Sequence, residues 1–574
     1  MKGERHTMKR FTKHALAGVG MAGLLLATNP AVAQSGMETP KPGGTLSVST
    51  VFPAVSPLTF ENYDWGWKFN HDTGHVYEQL FAPDFSKVKS RGGSATLLLS
   101  AYLPSDIMTG ELAESWEWVE PLKLKVTLRK GIMFPEKAGV MKSREFVSDD
   151  VVYNFKRWSG SPKAIKDFTG FVKDVTAPDS HTVVFEMNEY NAEWEFRLGY
   201  GYQSGIIPKE VADAGAADWK NVNGTGPFKL ADYVQGNSVS YERNDGYWGK
   251  ETFNGTEQQL PYVDKVVNRI IKDEATRVTA LRTGELDVME LVRWQDVDAL
   301  KKSLPDLKWN KWLAQTGTIL AMRVETKPFD DVRVRRAMNM AVNKKEIVEQ
   351  YYNGNAELFA YPMHPGWGQY YQPLEEQPES VRELFAYNPE KAKALLAEAG
   401  YSDGFTFKTQ VCTCVADHMD LMPLVAAYLA KVGVTMEIEP MESAAYYAAM
   451  SNKTNAAGYV IDSGHGNPTT SIRKNFTSGQ IGNPSGWSTP EFDERMNAVF
   501  REPDETKRIA ELRKLATEGV DAAPNIWLPT VYNYTAWWPW IKAYEGEIYA
   551  GTLRPGPVYA RLWIDQELKK KMGY

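Results

Sequence analysis

This chain predicts a mixed α/β protein built from at least two packed units, and three observations carry that fold class. Its 574 residues are too many for one ordinary core, since domains run to about 100–200 residues. Period-two stretches that read as half-buried strands alternate along the sequence with stretches whose apolar residues recur every three or four positions. No low-complexity linker and no repeat of roughly 20–50 residues separates the units, so they are expected to share the chain through more than one crossing.

The elements follow in order from the N-terminus. Lys9, Arg10 and Lys13 precede the apolar run Ala15–Ala27, Asn29-Pro30 breaks it, and Ala31-Val32-Ala33 offers the small residues of a cleavage site. Residues 1–33 therefore read as a signal peptide cut after Ala33, and the mature chain is expected in the periplasm. The run is too short to span a bilayer and no Cys follows it, so neither an anchor nor a lipoprotein is expected. Thr45–Ser49, Leu122–Leu128 and Val434–Glu439 alternate polar and apolar residues as strands do. Ser148 is placed to cap a helix with Asp149 and Asp150 in its first turn, where the helix dipole favours carboxylates. Val151, Phe155 and Trp158 share one face of it. Val334, Met338, Ala341 and Val342 mark a second helix, after which Asn343 and Glu346 have capping-box spacing. Asn388-Pro389-Glu390 opens a third, whose face is Ala392, Leu395, Leu396 and Ala399 and whose end is Gly400. The acid pairs Asp149-Asp150 and Asp330-Asp331 sit at helix starts, so capping accounts for them better than catalysis.

Composition narrows the function. Lys and Arg number 65 against 72 Asp and Glu, a net charge of -7, the wrong sign for a nucleic-acid partner. A mean hydropathy of -0.42 and the lack of a second long apolar run exclude an integral membrane protein. The 18 Trp, 28 Tyr and 23 Phe suit ligand clefts as well as cores. No phosphate loop, nucleophile elbow or zinc helix is present, and the S-x-x-K matches ending at Lys89 and Lys474 lack their companion motifs. A binding protein without cofactor or resident metal is therefore expected, rather than an enzyme. Cys412 and Cys414 stand one residue apart, near the limit for a bridge on a strand, so an incidental pair and a C-x-C bridge both remain open.

A series of segments then follows in a recognisable order. They are Gly43–Leu46, Val76–Phe81, Glu111–Glu117, Leu128–Phe134, Ser148–Arg157, Gly224–Phe228, Arg243–Trp248, Pro328–Ala337 with Ala341–Glu346, Tyr387–Ala392 and Gly433-Val434. Together they resemble the extracellular solute-binding proteins of family 5, the dipeptide, oligopeptide and nickel receptors of ABC importers. The resemblance implies a two-lobed periplasmic-binding-protein fold of the cluster C type. Lobe I would cover residues 40–290, with a subdomain near 83–205, and return at 529–574; lobe II would cover 291–528. Hinge strands would cross near Leu286-Asp287-Val288 and near Trp527-Leu528-Pro529. The solute would bind between the lobes of a monomer, closure would sequester it, and ABC permease subunits in the inner membrane would receive it.

The resemblance also nominates a site. Gly458-Tyr459-Val460-Ile461-Asp462-Ser463-Gly464 is similar to the peptide receptors' Gly-Trp-x-x-Asp segment. It implies that Asp462 pairs with a peptide α-ammonium and that Tyr459, standing for Trp, flanks the ligand. The alternative makes Asp462 a loop cap or turn residue. Arg323 stands where the family has Asn, either as a cleft cation or as a surface salt-bridge partner. Asn483 and Trp487 lie in a stretch resembling the lobe II loop before Pro490-Glu491-Phe492-Asp493. Trp367, in the Pro365-Gly366-Trp367-Gly368 turn, is an aromatic candidate or a core residue. The expected solute is a short peptide or peptide-like compound. The same fold with an oligosaccharide or opine-like solute is the alternative; an exported hydrolase, or a nickel site using His465 beside Asp462, is a poorer one.

Overall fold

The computed structural model describes residues 38–50, 59–63, 72–162, 164, 169–464, 466–552 and 554–574, so the signal-peptide reading and His465 lie outside the described residues. No helix among the described residues is long and apolar enough to cross a membrane.

Three sheets organise the chain. The largest runs in the order Phe228–Val234, Ser238–Arg243, Lys265–Ile270, Thr45–Thr50, Val288–Val292, Thr530–Trp537 and Lys308–Leu313, with Ala356–Glu357 also paired to Thr530–Trp537. Thr45–Thr50 is parallel to both its neighbours, whereas Thr530–Trp537 is antiparallel to all three of its own. An antiparallel sheet of Ala113–Glu120, Lys123–Leu128, Thr182–Met187 and Val172–Asp179 carries the helix Ser148–Ser159 and shares its core with the first sheet. The third sheet runs Val434–Met441, Phe405–Cys412, Gly458–Ser463, Gly317–Met322 and Asn525–Trp527.

Side-chain alternation explains how the third sheet is covered. All six residues of Gly317–Met322 are buried, and successive side chains enter different apolar clusters. Leu320 and Met322 join Val460 and Ile526 on one face, while Ile319 and Ala321 join Tyr459 and Trp527 on the other. A central strand buried on both faces is the usual requirement of a sheet with parallel pairs.

The chain crosses from the first sheet to the third between Leu313 and Gly317 and returns between Trp527 and Thr530. The first crossing therefore differs from the expectation at Leu286-Asp287-Val288. Val288–Val292 and Lys308–Leu313 both pair with Thr530–Trp537, which keeps them, and the helix Trp294–Ser303 between them, in lobe I. Asp287 is interior to that lobe, accepting hydrogen bonds from Ser47 N at 2.8 Å, Trp540 Nε1 at 2.8 Å and Lys569 Nζ at 2.7 Å.

Local signals fare better. Asn388 and Asn343 cap their helices, accepting from the Lys391 and Glu346 N–H groups at 3.0 and 3.1 Å. Ser148 is the first helical residue rather than the cap. Asp150 accepts the Val147 N–H instead, and the Ser148 hydroxyl donates to the Asp179 carbonyl. Cys412 and Cys414 form a disulfide at the end of Phe405–Cys412.

Candidate functional site

The two crossings lie side by side, with the Leu528 N–H donating to the Thr318 carbonyl at 3.2 Å. Around them the lobes touch. The Ser100 N–H donates to Gln315 Oε1 at 2.8 Å, and Gly466 lies so close to Ser100 that a Cβ would sit 1.4 Å from its carbonyl oxygen. Farther out, the Thr470 hydroxyl bridges Glu193 and Arg197 of lobe I, and the Ala192 N–H donates to the Phe500 carbonyl at 2.8 Å. Arg501 and Glu189 add an exposed ion pair across the same boundary.

Asp462 stands at the crossing end of Gly458–Ser463, opposite Thr318 in the antiparallel register. Its Oδ1 accepts from the Thr318 hydroxyl and from His418 Nε2, both at 2.7 Å. A carboxylate only accepts, so Nε2 carries the proton of that bond. No hydrogen bond from the described residues reaches Oδ2. The Asp462 side chain is 42% accessible although surrounded by protein, as in a crevice, whereas His418 is 3% accessible. Burial alone would raise the Asp462 pKa, but the charge and hydrogen bond of His418 and the Thr318 hydroxyl outweigh it and hold the carboxyl below its ordinary 3.8. Burial likewise opposes a charged His418. The Asp462 charge, its hydrogen bond and Asp417 outweigh that burial, so the ring titrates above its ordinary 6.5.

Lobe I approaches this pair through one intervening residue, Tyr352. Asp417, beside His418 at the start of the helix Ala416–Ala430, accepts from the hydroxyls of Tyr351 and Tyr352 at 2.9 Å each. The Tyr352 ring meets Trp294 of lobe I edge-on, with centroids 6.3 Å apart. Exposed Tyr447 lies within electrostatic range of Asp462. Lys474 donates to the Gly464 carbonyl at 3.3 Å, has no acidic partner among the described residues, and is pushed down in pKa by burial.

Of the residues nominated from sequence, Asp462 is the one the fold brings to this crevice. Tyr459 is fully buried on the opposite face of the strand, stacked on Tyr446 at 4.4 Å with its hydroxyl on the Tyr446 carbonyl at 2.8 Å. Three residues along a strand reverse the face, which separates Tyr459 from Asp462. Asn483 organises its own loop. Its amide donates to the Thr477 and Trp487 carbonyls, and its oxygen accepts from the Ser485 hydroxyl and the Gly486 N–H. Trp487 is half-buried edge-on against Phe476 and Phe492, at 5.8 and 5.3 Å. Arg323 lies past the far end of Gly317–Met322, roughly 16 Å of strand from Thr318. It donates to the Asn455 carbonyl at 3.0 Å and sits 3.9 Å from exposed Glu325. Trp367 is 2% exposed in the lobe II core, its ring 6.4 Å from Tyr102. Sequence reasoning missed His418, Thr318, Tyr447 and Lys474. Only the alternation placing Thr318 opposite Asp462 left a trace, and it needed the strand pairing to be read.

Among the described residues no cluster of three or more His, Cys, Asp or Glu side chains could hold a metal ion. Two lobes joined by paired crossings, touching around an accessible carboxylate, define a cleft receptor for a solute. The profile of the Bacterial extracellular solute-binding proteins, family 5 Middle, matches residues 108–483, and the chain belongs to that family. It is 31% identical over 454 residues to Heme-binding protein A of Haemophilus influenzae, covering 74% of this chain and 78% of that protein. It is 28% identical over 447 residues to the Dipeptide-binding protein of Escherichia coli, covering 72% and 79%. A periplasmic binding protein from Helicobacter pylori, solved with the peptide STSA, shares the fold with a TM-score of 0.70 at 24% identity, covering 92% of this chain and 99% of that one.

Proposed function

We propose that this chain is a periplasmic receptor that captures a short peptide or peptide-like solute between its lobes and delivers it to an ABC importer. The observation that carries the reading is Asp462, a carboxylate kept ionised by its partners, accessible beside the lobe crossings, with one oxygen that accepts no hydrogen bond from the described residues. A peptide α-ammonium is the cation such an oxygen suits, through a charge-assisted hydrogen bond. Lys474, which donates to the carbonyl of Gly464 one residue beyond that strand, offers a cation for the ligand's anionic end. The dipeptide-binding relative and the peptide-bound fold neighbour support the same solute class. No covalent bond changes: the solute prefers the closed lobes, and that preference shifts the open–closed balance. Export through the N-terminal signal and action as a monomer belong to the same reading.

A thermal-shift screen of di- to pentapeptides, oligosaccharides and opines tests the solute class. Stabilisation by sugars or opines with none by peptides would overturn the peptide reading. With a peptide in hand, Asp462→Asn keeps the shape and removes the charge, while N-acetylation removes the ligand's cation. A hydrogen bond to a charged group is worth about 1.5–3 kcal/mol, so each change should lower affinity roughly ten- to a hundredfold. Because both remove one interaction, the two effects should not add. Full additivity by calorimetry, or an unaffected variant, would remove Asp462 from the ligand's contacts.

A further inference from the structure

We propose that His418 competes with the ligand for Asp462: in the empty cleft its ring supplies the cation that the ligand's ammonium supplies when bound, so that capture expels one proton. The proposal rests on the reading of the solute as carrying a free ammonium.

The geometry assigns the role. Oδ1 of Asp462 is taken by His418 and Thr318 at 2.7 Å each, while Oδ2 is left for a newcomer on the accessible side. His418 is almost wholly enclosed, and its Nδ1 is buried without a hydrogen-bond partner among the described residues. An imidazolium there has little water to spread its charge, so Asp462 is its principal compensation. An ammonium arriving at Oδ2 would set two cations on one carboxylate. Like charges that close disfavour each other, and the ring can discard its charge whereas the ligand's ammonium, with its higher ordinary pKa, holds its own. The proton leaves from Nδ1 to solvent, Nε2 keeps its hydrogen on Asp462, and the ligand is bound as the only cation.

Among the described residues, the groups whose charge or hydrogen bonds reach His418 or Asp462 do not offer a rival titration near neutrality. Asp417 faces His418 from its own helix and is engaged by two tyrosine hydroxyls. Tyr352, Tyr446 and Tyr447 lie within electrostatic range of Asp462 and stay protonated well past neutrality, because burial raises each above the ordinary tyrosine value. From lobe I, Arg293 lies within electrostatic range of Tyr351. Among these groups His418 is the one whose charge changes.

The sign follows from the direction of its shift. Below a midpoint that lies above 6.5, the charged ring opposes the ligand; above it, the neutral ring does not. One linked proton then makes affinity rise by at least about tenfold between about pH 5.5 and 7.5. Calorimetry of the mature chain with the peptide Ser-Thr-Ser-Ala, in two buffers of different ionisation heat, reads both the affinity and the protons released. The wild type should release about one proton at the lower pH. His418→Gln, which keeps a donor and loses the charge, should bind at the high-pH wild-type level throughout and release none. Binding that is flat with pH in the wild type, or an unaltered slope in His418→Gln, overturns the linkage and leaves the peptide reading standing. No binding of this peptide or its N-acetyl form at any pH counts against both. The ring itself gives a ligand-free check. By NMR, with the His418 signal assigned from its loss in His418→Gln, the titration midpoint should fall in Asp462→Asn, and an unchanged midpoint overturns the pair.

Discussion

Replacing Thr470 by Val should open the receptor without unfolding it. Thr470 lies on the lobe II helix Pro468–Phe476, and its buried hydroxyl donates to Glu193 and receives Arg197 Nη2 at 3.2 Å. Glu193 and Arg197 are 3% and 5% exposed and also pair with each other inside lobe I. Valine keeps the threonine shape and deletes the hydroxyl. With the lobes together, two enclosed charged groups then each lose a partner; with the lobes apart, water takes its place. A hydrogen bond to a charged group is worth about 1.5–3 kcal/mol, and here the loss falls on the closed state alone. The balance should move roughly ten- to a hundredfold toward the open state, and ligand affinity should fall by up to the same factor. Small-angle scattering of the ligand-free chain reads the change in radius of gyration, and calorimetry reads the affinity. A variant that scatters and binds like the wild type refutes the reasoning, because the bridge would then contribute nothing net to closure.

Three further outcomes follow from buried groups. Gly466→Ala places a Cβ 1.4 Å from the Ser100 oxygen, so the lobes must part and ligand-induced closure should vanish from scattering; closure as in the wild type would show that the loop yields. Arg554 is fully buried in a two-pronged pair with Glu111 at 2.7 and 2.8 Å, so Arg554→Met strands a carboxylate and should cost about 3–5 kcal/mol in denaturant unfolding. A loss under about 1 kcal/mol would mean that Glu111 is compensated elsewhere. Lys344 is fully buried on the Asn339 and Leu384 carbonyls, and burial pushes its pKa down to about 7. Between that value and the ordinary 10.5 the unfolded chain holds the extra proton, so this group makes stability rise with pH across that window and leaves it flat below. Lys344→Met should lose that contribution, and a variant with the wild-type slope would contradict the assignment.

What the sequence determined by itself was local in range or repeated along its length. The strands Thr45–Thr50, Lys123–Leu128 and Val434–Met441 form where alternation placed them, and Asn343 and Asn388 cap as their neighbours dictate. Such features depend on residues a few positions away, which a linear reading sees. The ordered family segments carried the two-lobed architecture in the same way. Tertiary structure decided everything that depends on pairing through space. Val288–Val292 reads alone like any strand, and only its hydrogen bonds to Thr530–Trp537 keep it in lobe I and move the crossing to Leu313–Gly317. Asn483 and Arg323 kept their chemistry but spent it on a loop and on the Asn455 carbonyl. Asp462 was legible as a carboxylate, yet its charge state was not. That is set by a ring 44 residues away in the chain and 2.7 Å away in space. Electrostatic compensation acts over ångströms regardless of sequence separation, so only the folded chain could disclose it.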